Sequence, residues 1–156
     1  MLSQDVPPPV YTSAGNDDPV GLRYCEGLSS LVTGMAGDVE KIYDRSVRLE
    51  CPGARTGRGW QDAEWFWSGI RRAFAGARLE VHHVIGRSDD HMAPRAAVRW
   101  SLTGSHNGAG VFGDPTGSSI HVMGISHAEF GPRGLRREYV LFDETAVWKQ
   151  ILLSAD

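Results

Sequence analysis

The chain has 156 residues, 41% of them hydrophobic and 22% charged, with a formal net charge of -3. That length and apolar content suit one soluble globular domain able to bury a core without disulfides or metals. A mildly acidic chain whose only lysines are Lys41 and Lys149 argues against nucleic acid or an anionic membrane as the main partner.

Residues 1–16 hold a proline triplet and a polar run, the composition of an extended or flexible arm; a single domain is expected over 17–156. Asp17-Asp18-Pro19 has the form of a helix start, with an acidic cap and proline in the first turn. Val20, Tyr24, Leu28, Leu31, Val32 and Met35 follow at spacings of three and four, which lays one apolar stripe toward a core. Gly34 and Gly37 end that helix, and 38–43 adds a short second turn. Ser46 to Cys51 alternates as a strand does, and Pro52 through Gly59 reads as a loop rich in glycine and arginine.

A second strong helix is expected from about Gln61 to Ala75, with Phe66, Ile70 and Phe74 spaced by four and Gly76 closing it. Trp60, Trp65 and Trp67 cluster in its first half. They read as helix-to-sheet packing, or one of them, Trp67, as a pocket wall. From Ala77 the period becomes strand-like: Leu79 to Ile85, Ala96 to Thr103, Ser119 to Phe130 and Leu135 to Asp143, the last two joined by the hairpin loop Gly131 to Gly134. Glu144 to Leu153 forms a short C-terminal turn. Helices first and a meander of long strands afterwards predict an α+β fold with helices on one face of a largely antiparallel sheet. Apolar residues fall on mixed parity along the strands, so neither sheet face is cleanly polar. A homodimer through the sheet is therefore expected.

The C-terminal half resembles a known family. Arg99 to Gly108 (RWSLTGSHNG) is similar to the "R-W-x-x-x-G-T-H-x-G" strand of SnoaL-like polyketide cyclases, and Pro115-Thr116-Gly117 to the "P-T-G" that opens their next strand. Gly134 to Tyr139, followed by Asp143, resembles their "G-K-I-x-E-x-W-x-x-x-D" strand, and Gln150-Ile151-Leu152 their closing "Q-L". With a looser fit upstream, the resemblance covers about residues 21–153. It implies the nuclear-transport-factor-like cone: a curved, antiparallel or mixed sheet wrapped around three N-terminal helices, with a pocket at the open end. It also implies ring closure of a polyketide by intramolecular aldol condensation without cofactor or metal, an acidic residue near the end of the last strand serving as acid and base. Asp143 stands at that place. The sequence departs from the pattern where Leu135 replaces the lysine, Tyr139 the tryptophan and Ser105 the threonine; the same cone also hosts isomerases, epoxide hydrolases, dehydratases and plain binders.

A carboxylate in an apolar pocket suits proton removal next to a carbonyl, because desolvation raises its pKa toward neutrality. By strand parity Leu135, Arg137, Tyr139, Leu141 and Asp143 share one face, as do His121, Met123, Ile125, His127 and Glu129. Asp143 is expected to act as base with His127 or His106 assisting; as the alternative, Asp143 caps the following turn. Tyr139, His121, Glu129, Arg99 and Trp67 are the expected substrate contacts, with Arg99 also a candidate to pair with Glu138 or Glu129. His106 lines the mouth or fixes its loop. The glycines from Gly104 to Gly117 match no nucleotide-binding spacing and read as a flap between two strands.

No metal site is expected. His82 and His83 face opposite ways, and His121 and His127 lie near 20 Å apart at ~3.3 Å per residue. Cys25 and Cys51 form no C-x-x-C pair and are too few for a disulfide framework. With no secretory pattern at the start of the sequence and no apolar run of membrane length, a cytoplasmic protein without a membrane partner is expected. The expectation is thus an acid/base enzyme, or a non-catalytic binder of the same fold, acting on a small apolar or aromatic ligand.

Overall fold

The computed structural model describes residues 14–34 and 37–153. The arm expected over 1–16 lies outside the described residues except for its end. There Val84 donates to the carbonyl of Ala14 at 2.9 Å, Asn16 donates to the carbonyl of Val84 at 2.9 Å, and the Asn16 amide brackets the backbone of Gly86 at 2.9 Å on both sides.

Helix α1, Pro19–Thr33, begins as expected. The Asp18 carboxylate accepts from the Val20 amide at 3.0 Å, filling an orphan donor of the first turn. Its buried stripe is Val20, Tyr24, Leu28, Leu31 and Val32; Met35 lies outside the described residues. A short α2, Asp38–Ile42, leads into strand β1, Tyr43–Cys51. The segment read as a loop contains a strand, β2, Arg55–Arg58, which pairs antiparallel with the end of β1. Its sequence, RTGR, carries no apolar alternation, so nothing in the pattern announces it. Helix α3, Gly59–Ala73, follows at once and buries Ala63, Phe66, Trp67, Ile70 and Ala73.

Strands β3 (Arg78–Asp89), β4 (Met92–Ser105), β5 (Ser119–Gly131) and β6 (Gly134–Phe142) complete one sheet of order β2-β1-β6-β5-β4-β3. β1 and β6 are parallel and the other pairs antiparallel. The curved sheet packs its inner face, including Val98, Trp100, Leu102, Val122 and Val140, on α1 and α3 in one core. The C-terminal turn of the sequence reading is a helix, α4, Glu144–Leu153, which places Val147 and Ile151 four apart on a buried side. The architecture is the expected α+β cone: a curved, mixed sheet around the N-terminal helices.

The glycine-rich segment after β4 is a packed strap rather than a flap. Asn107 donates its amide to the carbonyl of Ala73 at 3.1 Å and its side chain to that of Ala75 at 2.8 Å. A Cβ on Gly108 would stand 2.0 Å from the Arg72 carbonyl oxygen, so glycine is what lets this strap lie directly on the end of α3. Phe112 is buried between Phe74 and Trp148, with ring centroids 5.2 and 5.4 Å away.

Candidate active site

Three elements converge on one buried carboxyl. On β6, Glu138 lies on the same inner face as Val140, and its side chain is 0% exposed. Tyr24 from the apolar stripe of α1 donates its phenolic hydrogen to one carboxylate oxygen. Tyr43, the first residue of β1, donates to the other. Tyr43 in turn accepts from Trp67 Nε1 of α3 at 2.8 Å. Below Tyr24, Ser126 accepts from Trp100 Nε1 at 3.0 Å. Every polar tip in this apolar centre thus meets a partner, the condition for keeping such groups inside.

Burial is the dominant influence on Glu138. It disfavours the charged form and pushes the carboxyl up to about 7, although both phenols favour the anion. The phenols of Tyr24 and Tyr43 move in the same direction, first through burial and then through the neighbouring Glu138 charge, well above 10. They are therefore neutral donors at physiological pH, facing a carboxyl that exchanges its proton near neutrality.

Two spaces adjoin this network. A cleft of about 260 Å³ between α1 and α2 reaches Tyr24, with Gly27, Ile42 and Phe130 on its walls and Arg23, Lys41 and Asp38 at its rim. In the cone interior, a void of about 10 Å³ lies among Trp67, Phe74, Trp100, Val122 and Phe142, room for about one water. Gly124 allows the Trp100 ring to lie flat against β5; a Cβ there would be 2.1 Å from the ring.

Of the residues singled out in the sequence, Trp67 is in this interior, both as a wall and as the donor that fixes Tyr43. The others lie elsewhere. His121, Met123, Ile125, His127 and Glu129 do share a face, and so do Arg137, Tyr139 and Leu141, but that face is the convex outside of the sheet. Leu135 does not join them. The pairing shifts between Glu129 and Phe130, leaving Arg136 as an extra residue on β6, and this bulge turns Leu135 into the core.

Asp143 is exposed and caps α4, its carboxylate accepting from the Ala146 amide at 2.9 Å; the capping alternative describes its position. His127 stacks at 6.0 Å on Tyr139, its register partner, four strand positions from the level of Asp143, or ~13 Å. His121 meets the Gln150 side chain through its backbone on both sides. Glu129 sits 3.7 Å from Arg137. Arg99 is exposed opposite Ile125 and pairs with neither Glu138 nor Glu129, because Glu138 is on the other side of the sheet.

His106 is fully buried, with its ring edge-on to Phe74 at 6.0 Å and Nδ1 3.2 Å from Thr116 Oγ1. Its Nε2 has no hydrogen-bond partner among the described residues. It fixes the strap rather than lining a mouth. Among the described residues, no group of three or more His, Cys, Asp and Glu side chains could hold a metal ion, and no helix is long and apolar enough to cross a membrane.

Glu138 is the functional candidate that the sequence reading missed. A signal was present: Val140 and Phe142 share its parity, and tyrosines occur both on the apolar stripe of α1 and at the start of β1.

Comparison with solved structures places the same cone in several bacterial proteins. A provisionally assigned SnoaL-like polyketide cyclase from Jannaschia sp. CCS1 superposes with a TM-score of 0.69 at 16% identity, over 87% of this chain and 96% of that one. AclR, a provisionally assigned hydroxylase from Streptomyces galilaeus, gives 0.70 at 15% identity, over 85% and 84%. IdmH, a provisionally assigned polyketide cyclase from Streptomyces antibioticus, gives 0.68 at 12%, over 86% and 99%. At such identities the likeness is one of fold. No curated protein sequence matches the chain. The sequence profile described as "SnoaL-like domain" matches residues 23–137, a span running from α1 to the middle of β6 and including Tyr24, Tyr43 and Trp67. Fold, motif order and profile agree, and the chain belongs to the SnoaL-like family.

Proposed function

We propose that the protein is a cofactor-free acid/base enzyme acting on a small, largely apolar carbonyl compound of polyketide type, with Glu138 rather than Asp143 as the proton carrier. The observation that carries this reading is the buried carboxyl of Glu138, held by two phenols and pushed up to about 7. A carboxyl of that pKa serves as base and as acid with equal ease at neutral pH. In the proposed step the carboxylate takes the proton from the carbon next to a carbonyl. The C–H electron pair moves into the enolate, and the phenol released as Glu138 becomes neutral turns its hydrogen toward the enolate oxygen. Aromatic walls and the absence, among the described residues, of an ion pair at Glu138 suit an apolar substrate, which enters by displacing side chains around Tyr24 or Trp67.

The test is deuterium exchange at the α-carbon of cyclic ketones and 1,3-diketones, followed by proton NMR. The native protein accelerates exchange, and E138Q loses about 10²-fold or more of that acceleration. Full exchange by E138Q removes Glu138 from the reaction.

A second reading, a non-catalytic binder of a small aromatic ligand, is favoured by a pocket of about 550 Å³ walled by Trp100, Met123, Ile125, Leu141 and Phe142. Ligands that quench tryptophan fluorescence without any exchange of their α-protons would select it.

Of the remaining expected residues, His127, Tyr139 and Arg99 belong, in this proposal, to a homodimer through the convex sheet. Met123, Ile125 and Leu141 are 72%, 55% and 61% exposed there, on adjacent strands with Ile125 and Leu141 in direct register and Tyr139 and His127 beside them. Sedimentation of I125D/L141D reads this directly: the native chain runs as a dimer and the variant as a monomer. A cytoplasmic setting fits the two cysteines, both of them unpaired.

A further inference from the structure

The strand registers line up a row of arginines across the whole convex face. Arg58 of β2 stands opposite Arg48 of β1, and Arg48 opposite Arg137 of β6. Arg137 faces Glu129 of β5, Glu129 faces Arg95 of β4, and Arg95 faces Arg87 of β3. Five of six consecutive cross-strand positions are arginine in a chain whose net charge is -3. Like charges in direct register oppose each other, so each Arg–Arg neighbour pair calls for a compensating anion, from the chain or from a ligand.

The two ends of the row differ. On β3 and β4, Asp89 serves both Arg87 at 3.0 Å and Arg95 at 3.2 Å. On β1, β2 and β6 a concave pocket of about 400 Å³ is lined by Arg48, Arg58, Arg136 and Arg137, with Ser46 and Glu129. Arg136 reaches it because it is the extra residue of the β6 bulge. Arg48 is held by Glu50 at 2.6 Å and Arg137 lies 3.7 Å from Glu129. Among the described residues, Arg58 and Arg136 have no carboxylate within ion-pair distance. Four guanidinium groups therefore meet two carboxylates within ion-pair distance, Glu50 and Glu129, and the Asp62 carboxylate accepts from the backbone amide of Arg58 at 2.7 Å, so positive charge remains in excess.

We propose that this pocket binds a compact dianionic oxyanion, the phosphate group of a phosphate ester or free phosphate. Planar guanidinium forks offer paired N–H donors matched to tetrahedral oxyanions, and the pocket keeps a positive excess for a phosphate group to neutralise. A concave site of this size suits a small ligand better than an extended polyanion, which would need a flat positive track. The site stands on the opposite side of the sheet from Glu138, so it is independent of the acid/base reading.

Isothermal titration with inorganic phosphate at constant ionic strength tests it on the full chain. The native protein binds, and R58Q/R136Q binds about tenfold more weakly or worse, the effect of losing one or more hydrogen bonds between charged groups. K41Q/K149Q removes the same charge elsewhere and leaves binding within about twofold, because screening confines such distant charges. Both arginines are exposed, and a circular-dichroism melt confirms that the variant is folded. R58K/R136K keeps the charge without the fork and binds between the native protein and the glutamine variant.

Equal weakening in the lysine control reduces the effect to net charge and overturns the proposal. So does the absence of binding up to about 10 mM phosphate, beyond the range of a specific site. Free phosphate and a phosphate ester are distinguished by competition with phenyl phosphate: tighter binding of the ester assigns the site to an esterified ligand, and equal binding to the free ion. Capture of a duplex oligonucleotide that phosphate fails to displace would make the row a polyanion surface and refute the small-ligand assignment.

Discussion

Replacing Glu138 with Gln should change how stability depends on pH more than it changes stability itself. In the unfolded chain this carboxyl titrates near its ordinary value of 4.5, and in the folded chain near 7. Between those values the native state holds one proton more than the unfolded state. Its contribution to stability is complete below the unfolded value and is lost as pH rises through the folded one. The slope is about -1.4 kcal/mol per pH unit and the total about 3 kcal/mol. Asp44 and Glu50 act in the opposite sense. Hydrogen bonds from Ser46 to the first, and from the Thr56 hydroxyl to the second, hold them below the usual carboxylate range, so their stabilisation is lost only as pH falls below about 4.

The window between about pH 5 and 8 therefore isolates Glu138 among the carboxyls, and the six histidines are common to both proteins and cancel in the difference. The E138Q amide keeps one acceptor and turns the other oxygen into a donor, so one phenol loses its acceptor. That mismatch costs about 1–3 kcal/mol at every pH and leaves the slope untouched. Urea unfolding of both proteins across this window gives the comparison directly. Native stability should fall by about 3 kcal/mol relative to E138Q, levelling off above pH 7. Parallel curves would mean that Glu138 titrates in the fold as it does in water, and the proton-carrier assignment would fall with it.

Two further substitutions test the interior and the strand end. G124A would force a Cβ to 2.1 Å from the Trp100 ring, where the ring is already tied to Ser126. The expected cost is about 1–3 kcal/mol, with loss of near-ultraviolet ellipticity as the indole shifts; a melting temperature and spectrum equal to the native ones would place that ring elsewhere. D143A removes the cap of α4 and should cost about 1 kcal/mol, while D143N, which caps equally well, should change stability by a few tenths at most. Neither should alter α-proton exchange, and a large loss in D143N would return Asp143 to the reaction.

What the sequence disclosed and what it hid follow from what each signal measures. The α1 stripe, its Asp18 cap and the buried face of α3 were legible because a 3.6-residue period and a capping residue are local properties. The order of motifs from Arg99 to Leu152 led to the right fold. Parity correctly grouped His121, Met123, Ile125, His127 and Glu129, because alternation is a property of each strand alone. Which face of a strand turns inward is a property of the whole sheet. With Trp100 and Val122 on one side and Met123, Ile125 and Leu141 on the other, both faces look apolar, and nothing local separates them. The bulge at Arg136 was hidden for a related reason: it exists only relative to β5. Glu138 was missed because a carboxylate is rarely buried without partners, and its partners lie 114 and 95 residues away in sequence.

The same reasoning explains why β6 is where the two proposed chemistries meet. Adjacent residues on a strand point to opposite faces, and on β6 these are Arg137, outward in the arginine row, and Glu138, inward among the phenols. The strand has neighbours on both sides, β1 and β5, so its backbone groups are held by ladders on either flank and its side chains are fixed more firmly than those of an edge strand. β1 adds to both sides at once: Tyr43 donates inward to Glu138, while Arg48 stands outward opposite Arg137. The net charge of -3 could not report this division, because it sums over surfaces that never see one another. A basic face and a protonatable interior occur in one mildly acidic chain because the sheet separates them by the thickness of a single strand.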